Sequence, residues 1–332
     1  MPIKVMHVGL GPIGAGVVRQ VANRKGLTIV GAVDIDPAKV GRDLGEVCDV
    51  GRKLRVKVGS DISATIRASR PDVAVLCTSS SLKKVIPEFE AVLKLKVPIV
   101  STTEELAYPV KSNAAPAKKI DALAKRARVA VLGTGVNPGF VMDALPIALT
   151  GVCESVTAIE IDRIQDARIR RLPFQKKIGA GLTREEFQAK VDDASVRHVG
   201  LAESITMIAE ALGWKLDKVT DEIRPKMAEK EVSSQFLTVA PGKVCGLIQD
   251  GVGYRKGVPI IKLHMEAYLG APESYDAVRI TGNPPLQMKL AGGVHGDVAT
   301  ASITVNSIPK VIAAPPGLRT MRDMTLPSYF GG

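Results

Sequence analysis

Two adjacent carboxylates follow a short apolar run in the segment VPIVSTTEEL, residues 97–106. The run has the length and composition of a buried strand, so Glu104 and Glu105 come just beyond the end of that strand. A carboxylate at such a position can take a proton as a general base, or it can add favourable negative charge to the start of a helix. We expect Glu104 to have the chemical role and Glu105 the structural one.

A second group of residues with characteristic spacing lies near the start of the chain, where VGLGPIGAG holds three glycines in the pattern GxGxxG. A strand-like segment precedes this motif and a helix-like segment follows it. In that context the motif is typical of a turn that binds a dinucleotide, because its backbone can approach a pyrophosphate at the N-terminus of the helix. The predicted cofactor-binding residues of this turn are Gly9, Gly11, Pro12, Ile13 and Gly14.

The carboxylate of Asp34 ends the next strand-like segment, 20 residues after the last glycine of the motif. A carboxylate at this place accepts hydrogen bonds from the adenosine ribose and favours NAD. Lys39 and Arg42 follow closely, and their positive charges can hold the 2′-phosphate of NADP. The sequence therefore predicts NAD or NADP as cofactor, with these three residues near its adenosine end.

The elements that position these residues alternate between strand and helix over the first 145 residues. Short apolar runs at residues 3–10, 27–34, 72–80 and 97–103 are separated by segments whose apolar residues have helical spacing. Fully apolar strands alternating with helices are typical of a parallel sheet covered on both faces. We predict an α/β fold, with a Rossmann-type doubly wound parallel sheet over residues 1–149.

Ligands of such a sheet bind beyond the carboxyl ends of its strands. The loops expected at that edge include residues 77–81, 101–105 and 133–140. We expect Asn137 to position the nicotinamide carboxamide or the substrate, although an asparagine before a proline also fits a simple turn. The further predicted cofactor contacts are Thr78, Ser79, Thr103 and Asn137, with Asn306 on a helix that returns later in the chain.

The pattern changes after residue 150 and predicts an α+β domain with an open mixed sheet over residues 150–294. Thr183 and Glu186 have the spacing of a capping box at the start of a helix. The segment PIIKLHMEAYL alternates between apolar and polar residues, as a half-buried strand does, and DAVRITG follows as its possible partner. Residues 295–332 are expected to form a helix capped by Asp297 and a tail, both returning to the first domain. His264 is expected in solvent, His7 in the core and His295 in a loop.

Composition narrows the classes of protein to which the chain can belong. The net charge is +11, but only 12 residues are aromatic (1 Trp, 5 Tyr, 6 Phe) and the basic residues are spread out, so we expect no nucleic-acid partner. No apolar run is long enough for a membrane helix, and the start leads directly into a strand, so we expect a cytoplasmic protein. The four cysteines are far apart, so we expect reduced thiols and no metal site.

Several segments taken together resemble the 2,4-diaminopentanoate dehydrogenase family and the related native amine dehydrogenases. They are GTGVNPGF, HVGLAESI, GGVHGDVATA, VNSIPKVIAAPPGL and STTEELAYP. The resemblance implies a dihydrodipicolinate reductase-like N-terminal domain and NAD(P)-dependent conversion of an amine to a ketone or aldehyde plus ammonia, through an imine. It also implies that Glu104 acts on the amine nitrogen, that His198 lines the substrate pocket, and that the second domain forms a homodimer.

Other enzymes of similar architecture remain alternatives. Dihydrodipicolinate reductase needs a pair of adjacent histidines, which this sequence lacks. A semialdehyde dehydrogenase needs a nucleophilic cysteine, for which Cys77 is the candidate, and a homoserine-dehydrogenase type needs only a hydride acceptor and a base. A dinucleotide-sensing protein without turnover is a further alternative. If the substrate carries a carboxylate, an arginine should bind it, and the candidates are Arg163, Arg168 and Arg171.

Overall fold

The computed structural model describes residues 1–193, 195, 196 and 199–331 of the chain. The chain forms two compact units, one made of Met1–Phe140 with His295–Gly332 and the other of Val141–Val294. The boundary between the first and second units therefore lies between Phe140 and Val141, nine residues before the boundary expected after residue 149. The reason is that helix Ala144–Leu149 packs against helix Leu201–Ala211, which belongs to the second unit.

Fifteen strands occur in the described part of the chain. They are β1 (Ile3–Val8), β2 (Leu27–Val33), β3 (Val58–Gly59), β4 (Val73–Leu76), β5 (Ile99–Ser101), β6 (Ala130–Gly133), β7 (Ser155–Asp166), β8 (Lys218–Met227), β9 (Val232–Ser233), β10 (Thr238–Val239), β11 (Val244–Arg255), β12 (Val258–Tyr268), β13 (Tyr275–Asn283), β14 (Leu286–Ala291) and β15 (Gly317–Arg319).

Ten α-helices occur in the same residues, together with short 3-10 turns. The helices are α1 (Pro12–Ala22), α2 (Leu44–Val47), α3 (Ile62–Ser69), α4 (Leu82–Leu93), α5 (Ala114–Ala127), α6 (Ala144–Leu149), α7 (Leu172–Lys177), α8 (Arg184–Asp192), α9 (Leu201–Ala211) and α10 (Gly296–Ala313).

The first unit contains a seven-stranded parallel sheet in the order β15-β6-β5-β4-β1-β2-β3. The predicted fold class is therefore confirmed. Every residue of β4, β5 and β6 is buried, as expected for strands covered on both faces. The strand order reverses between β4 and β1, which is the place where open parallel sheets bind their ligands.

The second unit contains a six-stranded mixed sheet in the order β14-β13-β7-β12-β11-β8. The expected pairing of DAVRITG, which lies in β13, with β12 is wrong. Strand β7 lies between them, parallel to β12 and antiparallel to β13. Two features made β7 difficult to recognise in the sequence. Charged residues alternate with its buried Ile159 and Ile161, and a basic stretch of the chain begins within the last residues of the strand.

The two faces of β12 differ as the alternation predicted. The apolar side chains of Ile261, Leu263, Met265 and Ala267 are all buried. The other face is charged, and His264 is not simply in solvent there, because its ring nitrogens lie 2.6 Å from Asp250 Oδ1 and 3.1 Å from Glu266 Oε1. Burial lowers the pKa of His264, but the two carboxylates outweigh burial and the pKa is raised.

Two helix starts test the capping predictions. The capping box at α8 is confirmed, since Glu186 Oε2 accepts from Thr183 N and Thr183 Oγ1 accepts from Glu186 N. The cap of α10 is not Asp297. His295 holds the N-cap position and its Nδ1 accepts from Val298 N at 3.4 Å, while Asp297 lies within the first turn.

His7 lies in the middle of β1, where it is 1% exposed, and its Nε2 has no hydrogen-bond partner among the described residues. Burial lowers the pKa of His7 to about 3. Histidine in an unfolded chain has a pKa of about 6.5. Between these values the unfolded chain binds more protons, so the contribution of His7 to stability is complete above the unfolded pKa and decreases as the pH falls toward the folded pKa.

We predict that His7→Leu makes stability less sensitive to acid. Between about pH 7 and 5 the free energy of unfolding should fall by about 2 kcal/mol less than in the wild type, because the extra proton uptake is gone. Urea unfolding followed by circular dichroism measures this difference. His264→Gln is the control, since its raised pKa gives a difference of the opposite sign. Equal pH slopes for His7→Leu and the wild type would contradict the prediction.

Candidate active site

The glycine motif forms a tight turn between β1 and α1 in which the missing side chains have distinct consequences. Gly9 has a φ of +85°, and a Cβ on Gly14 would lie 2.0 Å from the Gly9 carbonyl oxygen, so helix and turn are in direct backbone contact. A Cβ on Gly11 would meet no atom within 4 Å. The space beside Gly11 is therefore open, at the N-terminus of an 11-residue helix where an anion is favoured. This turn fits a pyrophosphate.

Asp34, at the end of β2, is tied to this turn. Its Oδ2 accepts from Leu10 N at 2.7 Å and from Lys39 Nζ at 3.1 Å, and its Oδ1 accepts from Asp36 N at 2.9 Å. Burial alone raises the pKa of Asp34, but these hydrogen bonds outweigh burial and lower it. An ionised carboxylate has about four acceptor positions, so about one remains for a ribose hydroxyl.

The other residues expected at the adenosine end lie around the same turn. Lys39 pairs with Asp34 and also lies 3.6 Å from Asp36, while the exposed Arg42 donates to Ala38 O at 3.4 Å. After β4, Thr78 Oγ1 donates to Glu88 Oε2 at 2.5 Å. Neighbouring Ser79 accepts from Ser81 N at 3.2 Å, which shapes this loop.

Glu105 lies in the 3-10 turn Glu104–Leu106, directly after β5. Its Oε2 accepts from Leu82 N at 2.8 Å, at the first residue of α4, and its own N–H donates to Ser80 O at 3.2 Å. The carboxylate thus satisfies one of the open N–H groups of α4 and places negative charge at the positive end of that helix. Glu105 therefore has a structural use, the kind of role expected for it from the sequence.

Glu104 lies on the same turn, yet its carboxylate is used differently. The side chain is partly buried, and its Oε2 is inaccessible to solvent without a hydrogen-bond partner in the described part of the chain. A buried acceptor left unsatisfied costs about 1–3 kcal/mol. Two carboxylates adjacent in sequence therefore differ, because only the Glu105 carboxylate caps α4.

A network of hydroxyl groups holds this turn in place. The Ser101 hydroxyl donates to Leu76 O at 3.1 Å, accepts from Thr103 N at 3.1 Å and lies 3.0 Å from the Thr103 hydroxyl. Thr103 is only 1% exposed. The prediction that Thr103 contacts the cofactor is therefore not supported, because its side chain points into the protein and helps to position Glu104.

Gly133, the last residue of β6, begins a loop that was expected at this edge, but the sequence assigned no role to Gly133 itself. A Cβ on Gly133 would lie 2.5 Å from the carbonyl carbon of Leu106 and 2.8 Å from Ala107 N. The turn that carries Glu104 can pack against β6 only because this side chain is absent. The local signal was a glycine at a strand end, and its importance depends on β6 being the neighbour of β5.

The remaining predicted site residues, Asn137, Asn306 and His198, lie in different parts of the chain. Asn137 is buried in the loop after β6, near Val136, whose N–H donates to Thr300 Oγ1 at 3.3 Å. Asn306 accepts from Arg24 Nη1 at 2.9 Å, beyond the C-terminal end of α1. Helix α1 has 11 residues and is about 16 Å long, so Asn306 lies about that far from the glycine turn. Asn306 is therefore not placed to contact the cofactor at that turn. His198 lies outside the described residues.

Cys77 lies in surroundings that disfavour the thiolate a nucleophile needs. Burial raises the pKa of the Cys77 thiol to about 11, although a hydrogen bond with Thr102 opposes the rise. A thiol in this state is inert, which disfavours the semialdehyde dehydrogenase alternative. In residues 1–193, 195–196 and 199–331 no group of histidine, cysteine and acidic side chains has the arrangement of a metal site. Nor does any helix in those ranges have the length and apolar content to cross a membrane.

Known proteins match both parts of the chain. The family profile described as the 2,4-diaminopentanoate dehydrogenase C-terminal domain matches residues 140–332, and that of the dihydrodipicolinate reductase N-terminus matches residues 3–132. A 2,4-diaminopentanoate dehydrogenase from Acetoanaerobium sticklandii is 34% identical and covers 99% of this chain and 95% of its own. The chain belongs to the 2,4-diaminopentanoate dehydrogenase family.

Two amine dehydrogenases extend the comparison. The one from Streptomyces virginiae is 23% identical, over 97% of this chain and 96% of its own. The solved structure of an amine dehydrogenase from Mycobacterium smegmatis superimposes with a TM-score of 0.88 at 25% identity, covering 100% of this chain and 98% of that chain. The resemblance to this family and its amine dehydrogenase relatives is therefore confirmed.

We predict that Gly133→Ala displaces the turn that carries Glu104. Because the added methyl group would overlap the Leu106 backbone, dehydrogenase activity should fall about tenfold or more, as expected for a small misplacement of a reacting group. Dinucleotide affinity should change little, since the glycine turn is untouched. Gly151→Ala is the control, because a Cβ there meets no atom within 4 Å. Full activity of Gly133→Ala would show that the turn does not depend on this contact.

Proposed function

We propose that the protein is an NAD(P)-dependent amine dehydrogenase that uses Glu104 as its general base. The observation that carries this proposal is the Glu104 carboxylate, which has a buried, unsatisfied oxygen at the carboxyl edge of a dinucleotide-binding sheet. Membership of the 2,4-diaminopentanoate dehydrogenase family and the two amine dehydrogenase relatives support the substrate class. The reaction converts an amine to a ketone or aldehyde and ammonia, and runs in reverse as reductive amination.

Glu104 can perform each proton step of this reaction in turn. An amine is mostly protonated near neutral pH, and its nitrogen must lose a proton before the carbon next to it can lose a hydride. The Glu104 carboxylate binds the ammonium group and takes that proton. A nicotinamide held by the glycine turn and Asp34 would supply the hydride acceptor, and loss of the hydride converts the amine to an iminium. Once Glu104 has released that proton to solvent, its carboxylate directs a water molecule to the iminium carbon and takes a proton from it. Glu104 then returns this proton to the nitrogen of the carbinolamine, and it takes up the hydroxyl proton as ammonia leaves and the carbonyl forms.

Two parts of the first unit have the space and the hydrogen-bonding capacity that a dinucleotide needs. The open space at Gly11 suits the pyrophosphate, and Asp34 has acceptor capacity left for the ribose. The ion pair between Lys39 and Asp34 reduces the negative charge near the ribose. This arrangement supports use of NAD and leaves Lys39 and Arg42 as the residues that would hold the additional phosphate of NADP.

The arginines proposed to bind a substrate carboxylate differ in their surroundings. Arg163 is buried, its Nη1 donates to Asp276 Oδ1 at 2.5 Å, and its Nη2 donates to Val294 O at 2.9 Å. Arg168 donates to Asp166 Oδ2 at 2.7 Å. Both charges are therefore already neutralised, which removes Arg163 and Arg168 as candidates. Arg171, at the N-cap of α7, also has a contact within the protein, so its candidacy for a substrate carboxylate rests on its sequence position alone.

We also propose a homodimer in the cytoplasm, and this part rests on the family resemblance. The alternation in β12 gives the second sheet one apolar face that needs a cover, and a second copy of the chain is one way to provide it. The structure removes that argument, because the polar face carries ion pairs such as those of Glu160 with Lys262 at 2.8 Å and with Arg279 at 3.3 Å. The apolar face packs against helices such as α9, whose Ile205 lies next to Gly251 and Gly253.

We predict that Glu104→Gln abolishes amine-dependent reduction of the cofactor, because a carboxamide cannot take the proton. Cofactor affinity should stay within a few-fold, since Glu104 is not among the predicted dinucleotide contacts. Absorbance of the reduced cofactor, followed at alkaline pH with a panel of amines, amino acids and alcohols, measures turnover.

Glu105→Gln is the matched control for this experiment. It should lower the melting temperature, because the charge at the start of α4 is lost, and the folded protein should keep its activity. If Glu105→Gln were inactive while Glu104→Gln turned over, the two roles would have to be exchanged. Turnover with alcohols only would favour the homoserine-dehydrogenase alternative, and binding without turnover would favour a sensor.

We predict that removing the Asp34 side chain and removing the Lys39 side chain shift the preference between NAD and NADP in opposite directions. Asp34→Ala should weaken NAD more than NADP, because a ribose acceptor is lost, whereas Lys39→Ala should weaken NADP more than NAD. Fluorescence titration with each reduced cofactor measures the dissociation constants. Asp36→Ala is the control for loss of a neighbouring carboxylate, since Asp36 accepts from Ala38 N and forms a longer ion pair, 3.6 Å, with the same Lys39. Equal losses for both cofactors in Asp34→Ala would show that Asp34 does not contact the ribose.

A further inference from the structure

A second carboxylate lies near the glycine turn and has no part in the chemistry described above. Glu88, on α4, is half-buried, and its Oε2 accepts from Thr78 Oγ1 at 2.5 Å. The Cγ2 of the same threonine lies 2.6 Å from the position that a Cβ on Gly9 would occupy. Thr78 therefore connects the Glu88 carboxylate with the turn that fits the pyrophosphate.

An exposed apolar side chain lies on the opposite side of that turn. Ile35 directly follows Asp34, and 91% of its surface is accessible. Asp34 binds Leu10 N, so the loop after β2 touches the glycine turn just as Thr78 does from the loop after β4. Because β1 lies between β2 and β4 in the sheet, the loop that carries Ile35 and the loop whose Thr78 binds Glu88 flank the turn from two sides. Ile35 provides an exposed apolar surface, and Glu88 provides a hydrogen-bond acceptor.

This pair matches the chemistry of a purine that carries an amino group. The faces of the ring system are apolar and gain free energy from contact with an aliphatic side chain. The exocyclic amine is a donor, and an ionised carboxylate accepts hydrogen bonds only. Burial raises the pKa of Glu88, and the hydrogen bond from Thr78 offsets only part of that rise by stabilising the ionised form.

We propose that Ile35 and Glu88 form the subsite for the adenine base of the cofactor, with Glu88 as the acceptor for its 6-amino group. The proposal rests on the dinucleotide-binding part of the proposed function and adds two residues to it. In this arrangement Thr78 is a positioning residue, which fixes the Glu88 carboxylate from the glycine turn. The carboxylate would also discriminate against a base with a carbonyl group at the same place.

Binding of a hypoxanthine dinucleotide tests this subsite without any turnover. In this analogue a carbonyl oxygen replaces the 6-amino group, so an acceptor faces the Glu88 carboxylate. NADH or NADPH, whichever binds more tightly, and its hypoxanthine counterpart are titrated by isothermal calorimetry. The wild type should bind the analogue about tenfold more weakly, as expected for the loss of one hydrogen bond to a charged group.

Two variants of α4 decide whether Glu88 is responsible. Glu88→Gln can donate from its carboxamide to the carbonyl, so the preference for adenine should shrink to about twofold or reverse. Glu90→Gln on the same helix loses only its ion pair with Lys119 and should keep the wild-type preference. Ile35→Ser should weaken both dinucleotides by a similar factor, since it contributes to the face of either base.

Each outcome has a defined meaning. Equal affinity of the wild type for both dinucleotides, or an unchanged preference in Glu88→Gln, would overturn the adenine subsite and leave the amine dehydrogenase proposal standing. Failure of the folded wild type to bind either dinucleotide would overturn the proposed function itself. Thermal unfolding of every variant confirms that the proteins compared are folded.

Discussion

Direct contact between backbones at the carboxyl edge of the parallel sheet is the constraint on which the candidate site depends. The start of α1 touches the Gly9 carbonyl because Gly14 has no side chain, and the turn after β5 touches the end of β6 because Gly133 has none. In both places an added Cβ would lie 2.0–2.5 Å from backbone atoms. Backbone atoms cannot give way as flexible side chains do. The position of the cofactor turn relative to Glu104 is therefore set by strand packing within one unit.

The paired glutamates show how this edge combines stability with chemistry. Glu105 caps α4 and so contributes to the fold, whereas Glu104 keeps a buried oxygen for which the described residues provide no donor. An arrangement that breaks a local rule of polar satisfaction is expected where function requires it. The buried strands β4, β5 and β6 supply the stability that tolerates this cost.

Features with a local signal could be predicted from the sequence, and features that depend on strand neighbours could not. The glycine motif, the apolar strands and the capping box each lie within about ten residues, and local signals of this kind specified the parallel sheet and α8. Gly133 gains its role only from β6 lying beside β5, and the placement of β7 beside β12 involves residues about a hundred positions apart. Thr103 was placed at the correct loop, but the side to which its hydroxyl turns is decided by Ser101. His295 replaced Asp297 as the cap because the helix begins two residues earlier than a cap at Asp297 would require.

The ion pair between Arg163 and Asp276 has a consequence for how the family can diverge. Both side chains are almost completely buried, and both also bind Val294, through Arg163 Nη2 to its carbonyl and through its N–H to Asp276 Oδ2. Loss of either partner alone leaves an uncompensated buried charge, at a cost of about 3–5 kcal/mol. Substitutions at positions 163 and 276 should therefore occur together, and relatives without the arginine should also lack the aspartate.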